Sequence, residues 1–96
     1  MTRREKVLVQ HRDAIRAAAE RNKARAIALV GSVARGDDDD DSDYDFLVDF
    51  LPGSTLFDVA GLQLDLEQLL DSNVDVVPED SIKDTHRGMI ADAIVL

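Results

Sequence analysis

The chain has 96 residues, which fits one domain, since domains of this kind typically run to roughly 100–150 residues. Its formal net charge is −9, from 11 Lys and Arg against 20 Asp and Glu. That balance argues against a protein that binds nucleic acid by neutralising phosphates, and it favours a cationic partner or a metal ion. Cysteine is absent, which excludes disulfides, thiol catalysis and zinc–thiolate sites.

The hydrophobic pattern predicts a soluble protein. No apolar run approaches the roughly 18 residues needed to span a bilayer, and no signal-like apolar stretch follows the N-terminus. At 45% hydrophobic residues, the chain is too apolar to be disordered despite its charge. We therefore expect one cytoplasmic domain over residues 1–96, with no membrane contact.

The first predicted element is an amphipathic helix over residues 3–22. Its apolar face, at helical spacing, consists of Val7, Leu8, His11, Ala14, Ile15, Ala18 and Ala19. Residues 24–30 are apolar apart from Arg25, and the run stops at Gly31. A run of this length that ends at glycine predicts a buried strand.

Asp37–Asp41 is a run of five like charges, which predicts a solvated loop. The segment after it alternates between two faces. One face carries Tyr44, Phe46, Val48 and Phe50, and the other carries Asp43, Asp45, Leu47 and Asp49. A period of two with aromatic rings on one side predicts a second strand that lies on a core.

The rest of the chain predicts a helix, a strand and a further helix. Pro52 and Gly53 end the second strand, and Ser54 or Thr55 can cap a helix that runs to about Leu70. The side chains expected to be buried on that helix are Leu56, Val59, Leu62, Leu66, Leu69 and Leu70. Residues 74–77 predict a third strand closed by Pro78, followed by a helix near 82–90 and a short apolar tail over 93–96.

These elements predict an α/β (α+β) domain with a small mixed sheet flanked by helices. The second strand, the helix and the third strand should form a right-handed parallel crossover. The first two strands are joined only by a loop, so they can run antiparallel. That topology brings Gly31, Asp43, Asp45 and Asp75 to one edge of the sheet.

Three carboxylates at that edge are the candidate metal ligands. Asp43 and Asp45 lie on one strand face, about 7 Å apart along the chain. Asp75 joins them, because its neighbours Val74 and Val76 must face the core. Carboxylates are the ligands that Mg²⁺ and Mn²⁺ prefer, and a crowded set repels strongly unless a cation neutralises it. Such a set can hold two ions about 3.5–4 Å apart, which suits phosphoryl chemistry.

The turn that follows the first strand is a candidate phosphate site. Gly31 lets the backbone approach a phosphate closely, and the amides of the turn over 32–35 can point at an anion. The Ser32 hydroxyl adds a donor. Arg35 can pair with phosphate or form a salt bridge to the acidic run, and the sequence favours neither.

Gly31-Ser32, then ten residues, then Asp43-Tyr44-Asp45, with Asp75 on a later strand, resemble the GS-x10-DxD signature of the DNA polymerase β-like nucleotidyltransferases. Three longer stretches, residues 31–36, 41–45 and 56–77, resemble the minimal nucleotidyltransferase branch of that superfamily. The resemblance covers roughly residues 27–96.

The resemblance implies a nucleotidyltransferase (polymerase β-like) fold and a set of site residues. Gly31 and Ser32 hold the triphosphate of a nucleotide, and Asp43, Asp45 and Asp75 bind two Mg²⁺ ions, with Mn²⁺ as an alternative. Asp75 also helps to activate the attacking hydroxyl. Arg35 and Ser42 are further candidates for nucleotide binding.

The resemblance further implies an antitoxin that transfers AMP from ATP to a hydroxyl, expected to be a tyrosine, of a HEPN-domain ribonuclease toxin. The toxin is the implied partner, without direct contact to nucleic acid. Two alternatives stay open: a non-catalytic antitoxin that acts by binding alone, and an enzyme that modifies a small molecule. Asp37–Asp41 departs from the mixed loop expected of relatives; it weakens nucleotide binding, docks the toxin, or is simply solvated.

Overall fold

A computed structural model describes residues 1–81 and 91–96 of the chain. The helix predicted near residues 82–90 lies outside the described residues. In the described ranges, no helix has the length and apolarity needed to cross a membrane.

The N-terminal segment is helical over most of the predicted range, but it is not one continuous α-helix. It consists of α1 (Arg3–Glu5), a π-helical segment (Lys6–Gln10) and α2 (Arg12–Arg21). The Thr2 side chain accepts a hydrogen bond from the Glu5 amide and caps α1. His11 separates the π-helical segment from α2 with φ −113° and ψ 9°, which departs from α-helical geometry. The prediction of a single helix over 3–22 is therefore wrong at this break.

The sheet has four strands in the order β3-β2-β1-β4. They are β1 (Ala24–Val30), β2 (Tyr44–Phe50), β3 (Val74–Pro78) and β4 (Ile94–Val95). β1 is antiparallel to both β2 and β4, whereas β2 and β3 are parallel. The mixed sheet and the parallel crossover are thus confirmed, and the apolar tail is in part a short edge strand that the sequence did not predict.

The crossover helix α4 (Leu56–Leu70) begins at the predicted cap. Thr55 and Asp58 form a capping box, in which the Thr55 side chain accepts a hydrogen bond from the Asp58 amide and Asp58 Oδ2 accepts one from the Thr55 amide. Leu62, Leu66 and Leu70 are buried, while Val59 and Leu69 are half-buried. Leu56 is 85% exposed, so its predicted burial is wrong: it occupies the first turn, where no described element covers it.

The core lies between the sheet and helices α2 and α4. Three residues of the predicted inward row of β2 are buried, since Tyr44, Phe46 and Val48 are at most 2% exposed. The fourth, Phe50, is half-buried and packs against the core. The other large side chains that are fully buried are Val7, Ile15, Leu29, Val30, Val33, Leu62, Leu66 and Val74. Because this face of β2 is fixed inward, its acidic residues must face the other way.

Candidate functional site

The strand register brings the three acidic candidates to one edge of the sheet. Val30, the last residue of β1, is opposite Asp45 in β2. Asp45 is in turn opposite Asp75 in the parallel partner β3. Asp43 directly precedes β2 and is two residues from Asp45, so it lies on the same side of the chain. The predicted placement of these residues is confirmed.

A sharp turn joins β1 to the short helix α3 (Gly31–Arg35). It brings the backbone close to the edge of the sheet that carries the acidic residues. Gly31 has φ +77°, and a Cβ atom at this position would be 2.5 Å from Asp45 Oδ2. No side chain fits there without displacing the carboxylate, and an L-residue would also be strained at this φ. Glycine is therefore required for the turn and the carboxylate to lie in contact.

The carboxylates are close enough to perturb one another. The pKa of Asp45 is raised to about 6. Burial is the largest cause, the charge of Asp75, a hydrogen bond with Asp75 and the charge of Asp43 contribute in the same direction, and Arg35 opposes the shift. Near neutral pH, Asp45 therefore carries a charge that the surrounding protein compensates poorly.

A divalent cation fits the chemistry of this donor set. Asp43 and Asp75 are exposed and Asp45 is half-buried, so a ligand from solvent can reach all three. In the part of the chain that the structure describes, no three acidic, histidine or cysteine side chains form a ready-made metal-binding group. The fit consequently rests on three oxygen donors and the uncompensated charge at Asp45, both of which suit Mg²⁺ or Mn²⁺.

The remaining candidates are engaged with the acidic loop of residues 37–41. Arg35 Nε lies 3.1 Å from Asp37 Oδ2, and Arg35 Nη1 lies 3.6 Å from Asp92 Oδ2. The Ser42 hydroxyl accepts from the Asp39 amide over 2.9 Å and donates to Asp39 Oδ1 over 3.2 Å. Of the two uses open to Arg35 in the sequence, the structure shows the salt bridge.

Sequence reasoning missed Arg3, which reaches the same loop from α1. It donates to the Asp38 carboxylate and to the carbonyls of Asp39 and Asp40. These contacts join residues 35 to 37 positions apart. No local pattern marks such a contact; the only signal is a basic first helix in a chain with an acidic run.

The mixed sheet has a glycine turn against Asp45, and Asp43 and Asp75 lie at the same edge. This arrangement is consistent with a nucleotidyltransferase, and comparisons with known proteins agree. The family described as "Nucleotidyltransferase domain" matches residues 11–96. Protein adenylyltransferase MntA of Thermococcus cleftensis is 39% identical over 79 residues, which cover 82% of this chain and 77% of that protein.

Solved structures share the fold. One named as a candidate minimal nucleotidyltransferase superposes with a TM-score of 0.83 at 39% identity, covering 95% of this chain and 94% of that chain. A variant of the MntA–HpeT toxin–antitoxin complex contains a chain that superposes with a TM-score of 0.72 at 25% identity, covering 88% of this chain and 70% of that chain. The present chain belongs to the nucleotidyltransferase domain family, and it is an enzyme of that class.

Proposed function

We propose that this chain is an antitoxin that transfers AMP from ATP to a hydroxyl group of a protein toxin. The observation that carries the proposal is the contact between the Gly31 turn and Asp45, with Asp43 and Asp75 beside it. It combines a backbone turn suited to phosphate with a carboxylate set suited to divalent cations. The names of the relatives, a protein adenylyltransferase and a toxin–antitoxin complex, support a protein as the acceptor.

The finer identity of the partner rests on the motif resemblance. Residues 31–36 and 41–45 resemble those of minimal nucleotidyltransferases, which favours a HEPN-domain ribonuclease as the toxin and a tyrosine as the acceptor. The net charge of −9 suits a basic RNA-binding partner through electrostatic steering.

In the proposed reaction, Gly31 and Ser32 hold the triphosphate, while Asp43, Asp45 and Asp75 hold two Mg²⁺ ions. Bound there, such ions would supply charge neutralisation for phosphoryl transfer. The acceptor oxygen forms a bond to the α-phosphorus, and the bond from that phosphorus to the β-phosphate oxygen breaks, so that pyrophosphate leaves. Asp75, which is exposed, receives the hydroxyl proton of the acceptor.

Intact-mass analysis of the toxin tests this proposal. The adjacent reading frame is first inspected for a HEPN-domain protein, and a protein found there is incubated as the candidate toxin with this chain, ATP and Mg²⁺. We expect the toxin to gain the mass of one or more adenylyl groups, and peptide mapping to place them on tyrosine. Omitting Mg²⁺ or ATP should abolish the gain.

A pair of variants separates the site from the rest of the strand. Asp43→Asn removes one proposed ligand charge and should lower the transfer rate about 100-fold or more. Asp49→Asn is the matched control, because Asp49 lies on β2, which Asp43 directly precedes, but is paired with Arg25 at 2.9 Å. Equal activity of Asp43→Asn and the wild type would remove Asp43 from the site, and toxin inhibition without any mass gain would favour binding alone.

A further inference from the structure

The loop of residues 37–41 is tied to the start of the chain by the side chain of Arg3. Arg3 Nη1 donates to Asp38 Oδ2 over 3.2 Å and to the Asp39 carbonyl over 2.6 Å, and Nη2 donates to the Asp40 carbonyl over 3.1 Å. The Arg3 and Asp38 side chains are only 25% and 16% exposed. The contact with Asp38 is partly buried, whereas the two carbonyl contacts are exposed. One guanidinium that makes three such contacts binds more strongly than a single exposed ion pair does.

The stretch that Arg3 contacts is linked by a closed turn to the residue before Asp43. Asp39 Oδ1 accepts from the Asp41 amide over 2.9 Å and from the Ser42 hydroxyl over 3.2 Å. The Ser42 amide donates to the Asp39 carbonyl over 3.1 Å. The position of Asp39 therefore fixes the position of Ser42, and Asp43 follows by one peptide bond.

The composition of the loop explains why it needs such an anchor. Its five consecutive carboxylates repel one another and offer no apolar side chain to the core. Arg3 compensates part of this charge and also binds two backbone carbonyls, so it restrains the path of the chain as well as its electrostatics.

We propose that Arg3 is a positioning residue that holds the loop so that Asp43 stands beside Asp45 and Asp75 before a metal ion binds. The proposal rests on the proposed function, in which these three carboxylates bind divalent ions. If the site is correctly formed in only a fraction of the molecules, its apparent affinity for the ligand is reduced by that fraction. Loss of Arg3 therefore weakens metal binding.

Electrostatics alone predicts the opposite change in metal affinity. The direction of the change therefore distinguishes positioning from charge. Removing a cation from the neighbourhood of an acidic site strengthens metal binding by electrostatics. Arg4 supplies the matched control, because it is the next residue of α1 and is exposed. Its side chain has no hydrogen bond or ion pair with any residue in the ranges the structure describes. Arg3→Ala and Arg4→Ala thus change the net charge equally, but only Arg3→Ala releases the loop.

The experiment measures Mn²⁺ binding by calorimetry and amide hydrogen exchange on the full chain without nucleotide or toxin. For Arg3→Ala we expect the Mn²⁺ dissociation constant to rise about 5- to 30-fold. Amides 39–43 should exchange at least about 10-fold faster, while those of β1 and β2 keep their protection. Arg4→Ala should match the wild type or bind slightly more tightly. Arg3→Lys keeps the charge but lacks the planar fork that reaches three acceptors, so it should be intermediate.

Unchanged or tighter Mn²⁺ binding by Arg3→Ala overturns the proposal, and so does unchanged exchange of amides 39–43. If Arg3→Ala loses amide protection throughout β1 and β2, its fold is disturbed. Mn²⁺ binding and loop exchange are then compared between the wild type and Arg3→Lys, which keeps the fold. Absence of Mn²⁺ binding by the wild type contradicts the metal role in the proposed function and, with it, the positioning of ligands. Faster loop exchange in Arg3→Ala would then still show that Arg3 anchors the loop.

Discussion

Gly31 and Asp45 are in direct contact across the edge of the sheet, with Asp45 Oδ2 2.5 Å from where a Cβ atom of residue 31 would be. The contact joins the two halves of the proposed site, the phosphate turn and the carboxylates. It depends on the β1–β2 register, which places Val30 opposite Asp45. The same register brings Asp75 alongside through the parallel pairing of β2 with β3.

Gly31→Ala should therefore impair both catalysis and stability. The methyl group displaces the Asp45 carboxylate, so we expect the transfer rate to fall at least about 100-fold. The strained φ costs a further 1–3 kcal/mol or so of unfolding free energy. The measurements are transfer of labelled AMP and a denaturant melt.

Gly36→Ala is the control for the backbone strain in Gly31→Ala. Gly36 has φ +81°, similar to Gly31, but a Cβ atom there would meet nothing within 4 Å. Gly36→Ala should lose similar stability and keep most of its activity. If both variants lose activity equally, strain in the α3 turn is responsible, and contact with Asp45 is not.

The raised pKa of Asp45 predicts how stability depends on pH. In the folded state Asp45 binds its proton more tightly than in the unfolded state, with a pKa of about 6 against the ordinary 3.8. Its contribution to the free energy of unfolding therefore falls as pH rises from about 4 through 6. Without divalent metal, Asp45→Asn should melt about 2–6 °C above the wild type at pH 8, an estimate reduced for solvent screening.

The difference between Asp45→Asn and the wild type should vanish near pH 4, where Asp45 is protonated in the folded protein. Melts of both proteins in a chelator across this pH range provide the measurement. Asp49→Asn should not be stabilised at pH 8, since it loses an ion pair with Arg25. A constant difference between Asp45→Asn and the wild type at all pH values would show that packing, rather than charge, separates them.

Divalent metal should raise the melting temperature of the wild type, because a bound cation relieves the repulsion among Asp43, Asp45 and Asp75. A ligand at about 100 times its dissociation constant adds about 2.7 kcal/mol to the free energy of unfolding. Scans with Mg²⁺ and ATP against a chelator provide the measurement. Asp45→Asn should show a much smaller shift, and a wild type unaffected by metal and nucleotide would contradict a formed site.

Much of this edge could be predicted from the sequence because strand periodicity and short connections are local. The alternation of Tyr44, Phe46 and Val48 fixed which face of β2 is acidic, and the bounds of β1 follow from the apolar run that ends at Gly31. The cap at Thr55 was equally local. Each of these features depends on residues within a few positions of one another.

The features that sequence reasoning missed depend on distant partners. The short strand β4 forms by pairing with Ala28 and Leu29 of β1, and two residues carry too little periodicity to predict a strand. Arg3 contacts a loop 35 residues away. Leu56 is exposed because no described element packs on the first turn of α4, although its helical spacing alone predicts burial.

The stoichiometry of toxin inactivation separates an enzyme from a binding module. A chain that modifies its toxin covalently is released after each transfer, so one molecule can inactivate many. The proposed toxin, treated with about one-tenth molar equivalent of this chain, Mg²⁺ and ATP, should lose its toxic activity over time. It should stay inactive after the chain is removed, because the new phosphodiester bond persists. Asp43→Asn at the same ratio should leave the toxin active, although it keeps the fold and nearly all of the acidic surface. Inhibition that needs one molecule per toxin, ignores ATP and is preserved in Asp43→Asn would instead establish neutralisation by contact alone.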